Sequence, residues 1–304
     1  MNKDIRDALF DELYRLGKRD SRVMVISDDL DAWGLRRFKT DFPERFINIG
    51  VAEQNMMDVA AGLAACGKKV FVYGICSYVT ARCLEQIKFS ICSMNLPGRQ
   101  AGLPVVIIGV GAGFSFSFDG PSHHGTHDVG IMRMLPEMTI FNPIDAHSAS
   151  MSLRMAYAQK TPAYIRLDKG MFPDLHYTLD DLQRGFKILA PLKKMTVIST
   201  GYMTRQIMNI KNISIVDLFR IKPISKEFVT QVLKKSKKII TVEENMFTGG
   251  IGSIVSELLA DHRLPIPLKR LAVRDHQFDQ FGSREWLQSL NGLDLPTLVK
   301  IIKK

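Results

Sequence analysis

Several things are missing from this sequence, and each absence narrows the reading. Its 304 residues hold four cysteines, Cys66, Cys76, Cys83 and Cys92, with no Cys-x-x-Cys spacing. Residues 1–16 are charged and amphipathic, with Ile5, Leu9, Leu13 and Leu16 on one face, which excludes a secretory signal. The cysteines therefore read as reduced packing residues of a cytoplasmic protein. The longest uncharged run, residues 101–118, is broken by Pro104, Gly109, Gly111 and Gly113, so it fits a buried strand and a glycine loop better than a membrane span. There is no arginine-rich arm and no basic stripe interleaved with aromatics, and nucleic-acid binding is left without a motif. The net charge of +10 is scattered, partly in pairs such as Lys68-Lys69 and Lys234-Lys235. An acidic partner or phosphorylated substrates would account for it, and so would no partner at all. No internal repeat or low-complexity segment occurs.

What is present is the composition of a globular protein, 46% hydrophobic and 24% charged, long enough for two domains with real cores. β-rich runs at 23–27, 69–73, 104–109, 138–141 and 163–166 alternate with helical patterns at 53–66, 78–93 and 145–159. Asp145 is a plausible N-cap for the last of these. That rhythm means a parallel α/β sheet. Residues 170–185 carry Pro173, Asp174, Asp180 and Asp181 without periodicity and read as a linker. The alternation then restarts, with strands at 196–200, 213–216 and 238–242 and a helix ending near Leu259. The expected fold is two α/β domains with mainly parallel sheets flanked by helices.

Parallel sheets bind ligands beyond the C-terminal ends of their strands. Three polar features of the first domain fall there. Glu53 is the only acid between Glu44 and Asp58 and opens a nearly uncharged helix. A buried carboxylate is expensive unless something uses it, although an acid at a helix start is also favoured by the helix dipole alone. Tyr78 and Arg82 are the second feature. The third is the loop Phe118-Asp-Gly-Pro-Ser-His-His-Gly-Thr-His-Asp128. As a metal site, His123, His124, His127 and Asp128 match no ligand spacing. As neutral imidazoles set around a substrate they suit proton transfer, and as a plain surface loop they need no role.

Asn48-Ile-Gly-Val-Ala-Glu-Gln-Asn-Met56, Asp119-Gly-Pro-Ser-His-His124 and the helix start Glu244…Gly249-Gly-x-Gly252 come in this order. The chain thereby resembles the C-terminal half of a transketolase. The resemblance divides it into a pyrimidine-binding domain over 1–170, a linker over 171–188 and a transketolase C-terminal domain over 189–304. It implies that Glu53 hydrogen-bonds the aminopyrimidine N1′ of thiamine diphosphate. That bond favours the imino tautomer, which removes the C2 proton of the cofactor. Tyr78 matches the aromatic that stacks on the pyrimidine, and a core aromatic is its plainer reading. Two further family aromatics fall on Ile75 and Ala81, which would leave a thinner cage. His123 matches the histidine that contacts sugar hydroxyls and assists proton transfer, with His124 beside it. Asp119 matches the acid that binds the donor hydroxyl, and Asp29 an acid near the cofactor. Arg6 and Arg166 or Lys169 match regions that hold substrate phosphate, with a solvated surface role as the other reading of each.

The family's usual Gln after the loop histidine is His124 here, and a histidine eight positions before Asp119 is replaced by Gly111. These departures point to a donor or acceptor other than the usual pentose phosphates. No Gly-Asp-Gly occurs in the 304 residues. The resemblance assigns the diphosphate and its Mg²⁺ to such a segment, where hard oxygen ligands suit a hard ion. The expectation is therefore a separate N-terminal subunit carrying that motif, an α₂β₂ heterotetramer and active sites shared between chains. The expected activity is transfer of a two-carbon ketol unit between ketose and aldose. The alternatives are a 1-deoxyxylulose-5-phosphate synthase-like or 2-oxo-acid dehydrogenase β-like subunit, or a non-catalytic assembly subunit.

Overall fold

A computed structural model describes residues 3–93, 102–276 and 279–303. Met1 and Asn2 of the amphipathic segment, and Ala101 of the uncharged run, lie outside the described residues. Twelve strands are found among the described residues. The first six are β1 (Val23–Ser27), β2 (Phe46–Asn48), β3 (Lys69–Ile75), β4 (Val105–Val110), β5 (Thr139–Phe141) and β6 (Ala163–Leu167). They are followed by β7 (Lys187–Ala190), β8 (Met195–Ser199), β9 (Ser214–Asp217), β10 (Arg220–Lys222), β11 (Lys238–Met246) and β12 (Leu268–Val273). One sheet runs β10-β5-β6-β4-β3-β1-β2 and the other β12-β11-β8-β9-β7. All neighbours are parallel except β10 on β5 and β7 on β9. The two mainly parallel α/β sheets are the fold class expected from the sequence.

The central strands of the first sheet are apolar throughout because both faces are covered. Val70 and Val72 of β3 face a core shared with Met56, Met57 and Ala60 of the helix Glu53–Ala65 and with Val79, Cys83, Ile87 and Ile91. Phe71 and Tyr73 point the other way, against Ile5, Leu9 and Leu13 of the helix Ile5–Arg19. The fourfold spacing of Val79, Cys83, Ile87 and Ile91 buries all four, though the segment is wound mainly in wide π turns at Tyr78–Arg82 and Ile87–Cys92. Such turns recur at functional sites. Asp145 caps the helix Ala146–Ala158 as expected, its carboxylate accepting from the Ser148 amide at 2.7 Å.

The two halves are less separate than the sequence suggests. The stretch expected to be an aperiodic linker contains a capped helical turn, Leu179–Arg184. Strand β10 leaves the second half to close the open edge of the first sheet beside β5. Three residues of mixed character give no periodic signal, so nothing in the sequence announces it. The helices Arg284–Asn291 and Leu295–Ile302 complete the second domain.

The strongest polar tie between the halves is Arg284. Its guanidinium donates to both oxygens of Asp168, after β6, at 3.1 and 2.8 Å, and through Nε to Glu244 of β11 at 3.1 Å. Asp168 and Glu244 are both buried, and the Asp168 pKa, raised by burial, is brought below the ordinary aspartate range by Arg284. Replacing Arg284 by Ala would strand two buried carboxylates, and the loss expected is about 3–5 kcal/mol. Arg36→Ala, which removes an exposed pair with Asp31, should cost less than about 1 kcal/mol. Chemical denaturation of the two variants measures the contrast, and equal midpoint shifts would contradict it.

Candidate active site

The chain segments leaving β1, β2, β3 and β4 emerge at one edge of the first sheet and carry the polar residues singled out above. The Glu53 carboxylate opens the helix Glu53–Ala65 and is 2% exposed. One Arg82 nitrogen donates to both its oxygens, at 2.7 and 2.8 Å. The Arg82 guanidinium lies 4.3 Å from the Tyr78 ring centroid. The Tyr78 hydroxyl is 3.4 Å from His123 Nδ1, and the two rings meet edge to face at 5.3 Å. His123 faces the edge of Phe116 at 6.4 Å, and the Lys169 ammonium sits 4.5 Å from the Phe116 centroid. Glu53, Arg82, Tyr78, His123, Phe116 and Lys169 therefore form one continuous row, from a buried acid to an exposed cation.

The other expected site residues fall around this row or away from it. Asp119 is exposed in a short turn, Ser117–Asp119, on the same loop as His123. His124 is buried beneath that loop against Phe114, 5.2 Å between ring centroids, and its Nε2 has no hydrogen-bond partner among the described residues. Burial pushes its pKa down, so it is held as neutral imidazole. Arg6 is half-buried at the start of the first helix, bonded to Asp4 at 3.3 Å and charge-coupled to Tyr73. Arg166 is not available to a substrate. It is buried and donates to Asp128 at 2.8 Å, to the Gly125 carbonyl at 2.7 Å and to the Glu244 carbonyl at 3.0 Å. Its place inside strand β6, paired across the sheet with Gly109, is the physical reason for that burial. Among the described residues no three His, Cys, Asp or Glu side chains assemble as metal ligands. Asp128 is engaged by Arg166 and by the Tyr164 hydroxyl, the latter at 2.7 Å.

Two participants carry no signal in the sequence. The first is Asp28. Its neighbour Asp29 has φ +69° and is exposed, exchanging hydrogen bonds with Asn48 at 3.0 and 2.9 Å. That left-handed residue turns the chain so that Asp28 is the buried acid, at 8% exposure, close enough to feel the charges of Glu53 and Arg82. Two adjacent aspartates offer no local clue to which one goes inside. Phe116 is the second. Gly111, at φ +99°, brings the backbone so near this ring that a Cβ would lie 2.4 Å from its Cδ2. The ring fills the space a larger residue at 111 would need, and leaves an apolar wall beside His123.

The loop's position depends on the second domain. The Phe114 amide donates to Glu244 Oε2 at 3.0 Å, and Gly113 approaches so closely that a Cβ would meet that carboxylate. Of the two positions where the resemblance expects further aromatics, Ile75 is half-buried and Ala81 exposed.

The geometry fits a planar nitrogen heterocycle: a buried carboxylate to meet its ring nitrogen, an aromatic face to lie against it, and an imidazole next in line. Known proteins resemble this chain over nearly its whole length. Residues 2–174 match the transketolase pyrimidine binding domain and residues 185–295 the transketolase C-terminal domain. The chain belongs to the transketolase family. It is 29% identical over 306 residues to the 6-deoxy-6-sulfo-D-fructose transketolase subunit SqwH of Clostridium sp. (strain MSTE9), covering 97% of this chain and 92% of the relative. It is 30% identical over 316 residues to an apulose-4-phosphate transketolase subunit of Phocaeicola vulgatus, covering 98% and 97%. A solved structure described as a split gene transketolase, inactive beta4 tetramer, aligns over 100% of this chain and 98% of its own at 30% identity, with TM-score 0.83. No helix among the described residues is long and apolar enough to cross a membrane.

Burial, then the charge of Glu53, pushes the Asp28 carboxyl up to about 6. Because that lies above the value of about 4 for a free aspartate, ionising Asp28 subtracts stability as pH rises from about 4 to about 6. A carboxyl NMR titration should place its midpoint near 6. In Glu53→Gln the midpoint should move down, since a like charge is removed and Arg82 is freed. An unmoved midpoint would mean that the two acids do not interact.

Proposed function

We propose that this chain is the C-terminal subunit of a two-component transketolase, transferring a two-carbon ketol unit between ketose and aldose sugar phosphates. The observation that carries the reading is Glu53. It is a desolvated carboxylate at the ligand edge of the sheet, matched by an exposed cation and an aromatic face, in a chain with no Gly-Asp-Gly segment. The relatives named as transketolase subunits, matched over nearly their whole length, support it. The pyrimidine-binding half would span 1–170, the linker 171–188 and the C-terminal domain 189–304.

Thiamine diphosphate, once bound, supplies the electron sink for carbanion chemistry. In this chain Glu53 would hold the aminopyrimidine ring nitrogen and share its proton, with Tyr78 against the ring face. Asp29 would stand near the cofactor, and the buried Asp28 next to it lies within the field of Glu53 and Arg82. His123 would exchange a proton with the sugar hydroxyls, and Asp119 would accept a hydrogen bond from one of them. Lys169 and Arg6 would receive the phosphate end. The diphosphate and Mg²⁺ fall to a partner chain that carries Gly-Asp-Gly, in a cytoplasmic α₂β₂ heterotetramer. The apolar Phe116 wall over Gly111 favours a sugar with less hydroxylation at that contact than the usual pentose phosphates.

Two substitutions test these roles in the reconstituted complex. Glu53→Gln should lower turnover about 10²–10⁴-fold while assembly, followed by light scattering, is unaffected. Turnover at the unsubstituted rate would refute the role. His123→Ala should lower kcat/KM for the sugar about 10²-fold with cofactor affinity unchanged. Equal losses in both would make the loop structural.

A further inference from the structure

Arg82 makes the contacts that a bound pyrimidine would make. Both Glu53 oxygens are taken by one of its nitrogens, and its planar cation lies on the Tyr78 ring. Yet the Arg82 side chain is 43% exposed, and among the described residues its hydrogen bonds go to Glu53 alone. A long, half-solvated side chain of this kind moves at little cost. A second acid is within its field. Asp28 is buried, at 8% exposure, and one of its carboxylate oxygens has no hydrogen-bond partner among the described residues. A buried carboxylate oxygen with no donor is costly, and such groups in native structures call for an explanation.

We propose that Arg82 is a displaceable occupant of the ring-binding notch, and that it passes from Glu53 to Asp28 when the cofactor's aminopyrimidine arrives. The inference rests on the cofactor reading given above and adds how the site is regulated. Charge is conserved in the exchange. Before it, the guanidinium neutralises Glu53, while Asp28 has backbone hydrogen bonds but no ion pair among the described residues. After it, the guanidinium neutralises Asp28, and Glu53 is released to share a proton with the ring nitrogen. One ion pair is broken and one is formed, so the swap costs less than uncovering a bare buried carboxylate. Arg82 thus protects Glu53 in the unassembled subunit and competes with the cofactor in the assembled one. Asp28 is a positioning residue: it acts on the cofactor only through Arg82.

The test is thiamine diphosphate binding to the reconstituted two-subunit complex with Mg²⁺, followed by calorimetry and by the rate of protein fluorescence change. Arg82→Ala removes the competitor, and should tighten binding and speed association about tenfold. Asp28→Asn removes the acceptor for the guanidinium, and should weaken binding about tenfold. In the double variant the Asp28 effect should vanish, because there is no guanidinium left to place. Unchanged or weaker binding in Arg82→Ala would overturn the proposal. So would an Asp28→Asn loss of the same size with and without Arg82. If the Ala variant does not assemble, Arg82→Gln keeps the side-chain bulk without the charge and is read in the same way. If the unsubstituted complex binds no thiamine diphosphate, the cofactor reading itself fails, an outcome distinct from tight binding that ignores Arg82.

Discussion

One guanidinium holds the ligand edge of this protein in register. Arg284, on a helix of the second domain, lies between Asp168, just after β6, and Glu244 in β11. Two buried acids on different sheets are tolerable only with a shared cation, so the pairing ties the two sheets together at their C-terminal ends. The same Glu244 accepts the Phe114 amide, which suspends the loop bearing Asp119 and His123 from the second domain. Gln288 adds a hydrogen bond to Glu244 at 2.7 Å, so each oxygen of that acid is engaged. The C-terminal domain therefore positions the loop bearing Asp119 and His123 without itself lining the row from Glu53 to Lys169.

Within that frame the site is a gradient from dry to wet. Glu53 is desolvated and held by a partly exposed arginine, Tyr78 and Phe116 supply aromatic walls, and Lys169 ends the row in solvent. A buried acid at one end suits a proton shared with a heterocycle, and a solvated cation at the other suits an anionic substituent. What the row does not contain is a set of hard oxygen ligands for a diphosphate-bound Mg²⁺ among the described residues.

Much of this is legible in the sequence, for definite reasons. Strands buried on both faces must be apolar at every position, so β1, β3 and β4 stand out, and their alternation with helices implies a parallel sheet. Glu53 is visible because it is the only acid between Glu44 and Asp58 and opens a nearly uncharged helix. What escapes depends on tertiary context. Strand β10 crosses between sheets with three residues, too few for a period. The choice of Asp28 over Asp29 turns on a single left-handed residue. Arg166 resembles a free cation in the sequence, whereas its strand position commits it to Asp128 and two carbonyls. The Arg82–Glu53 contact joins segments 29 residues apart, and periodicity carries no information about it.

The central claim is that Glu53 belongs to an active site completed by a second chain. Calorimetric titration of thiamine diphosphate and Mg²⁺ into this chain, into the proposed Gly-Asp-Gly subunit and into their mixture tests it directly. Weak or no binding to this chain alone is expected, with saturable, Mg²⁺-dependent binding to the mixture at one cofactor per pair of subunits. Tight Mg²⁺-dependent binding to this chain by itself would contradict it.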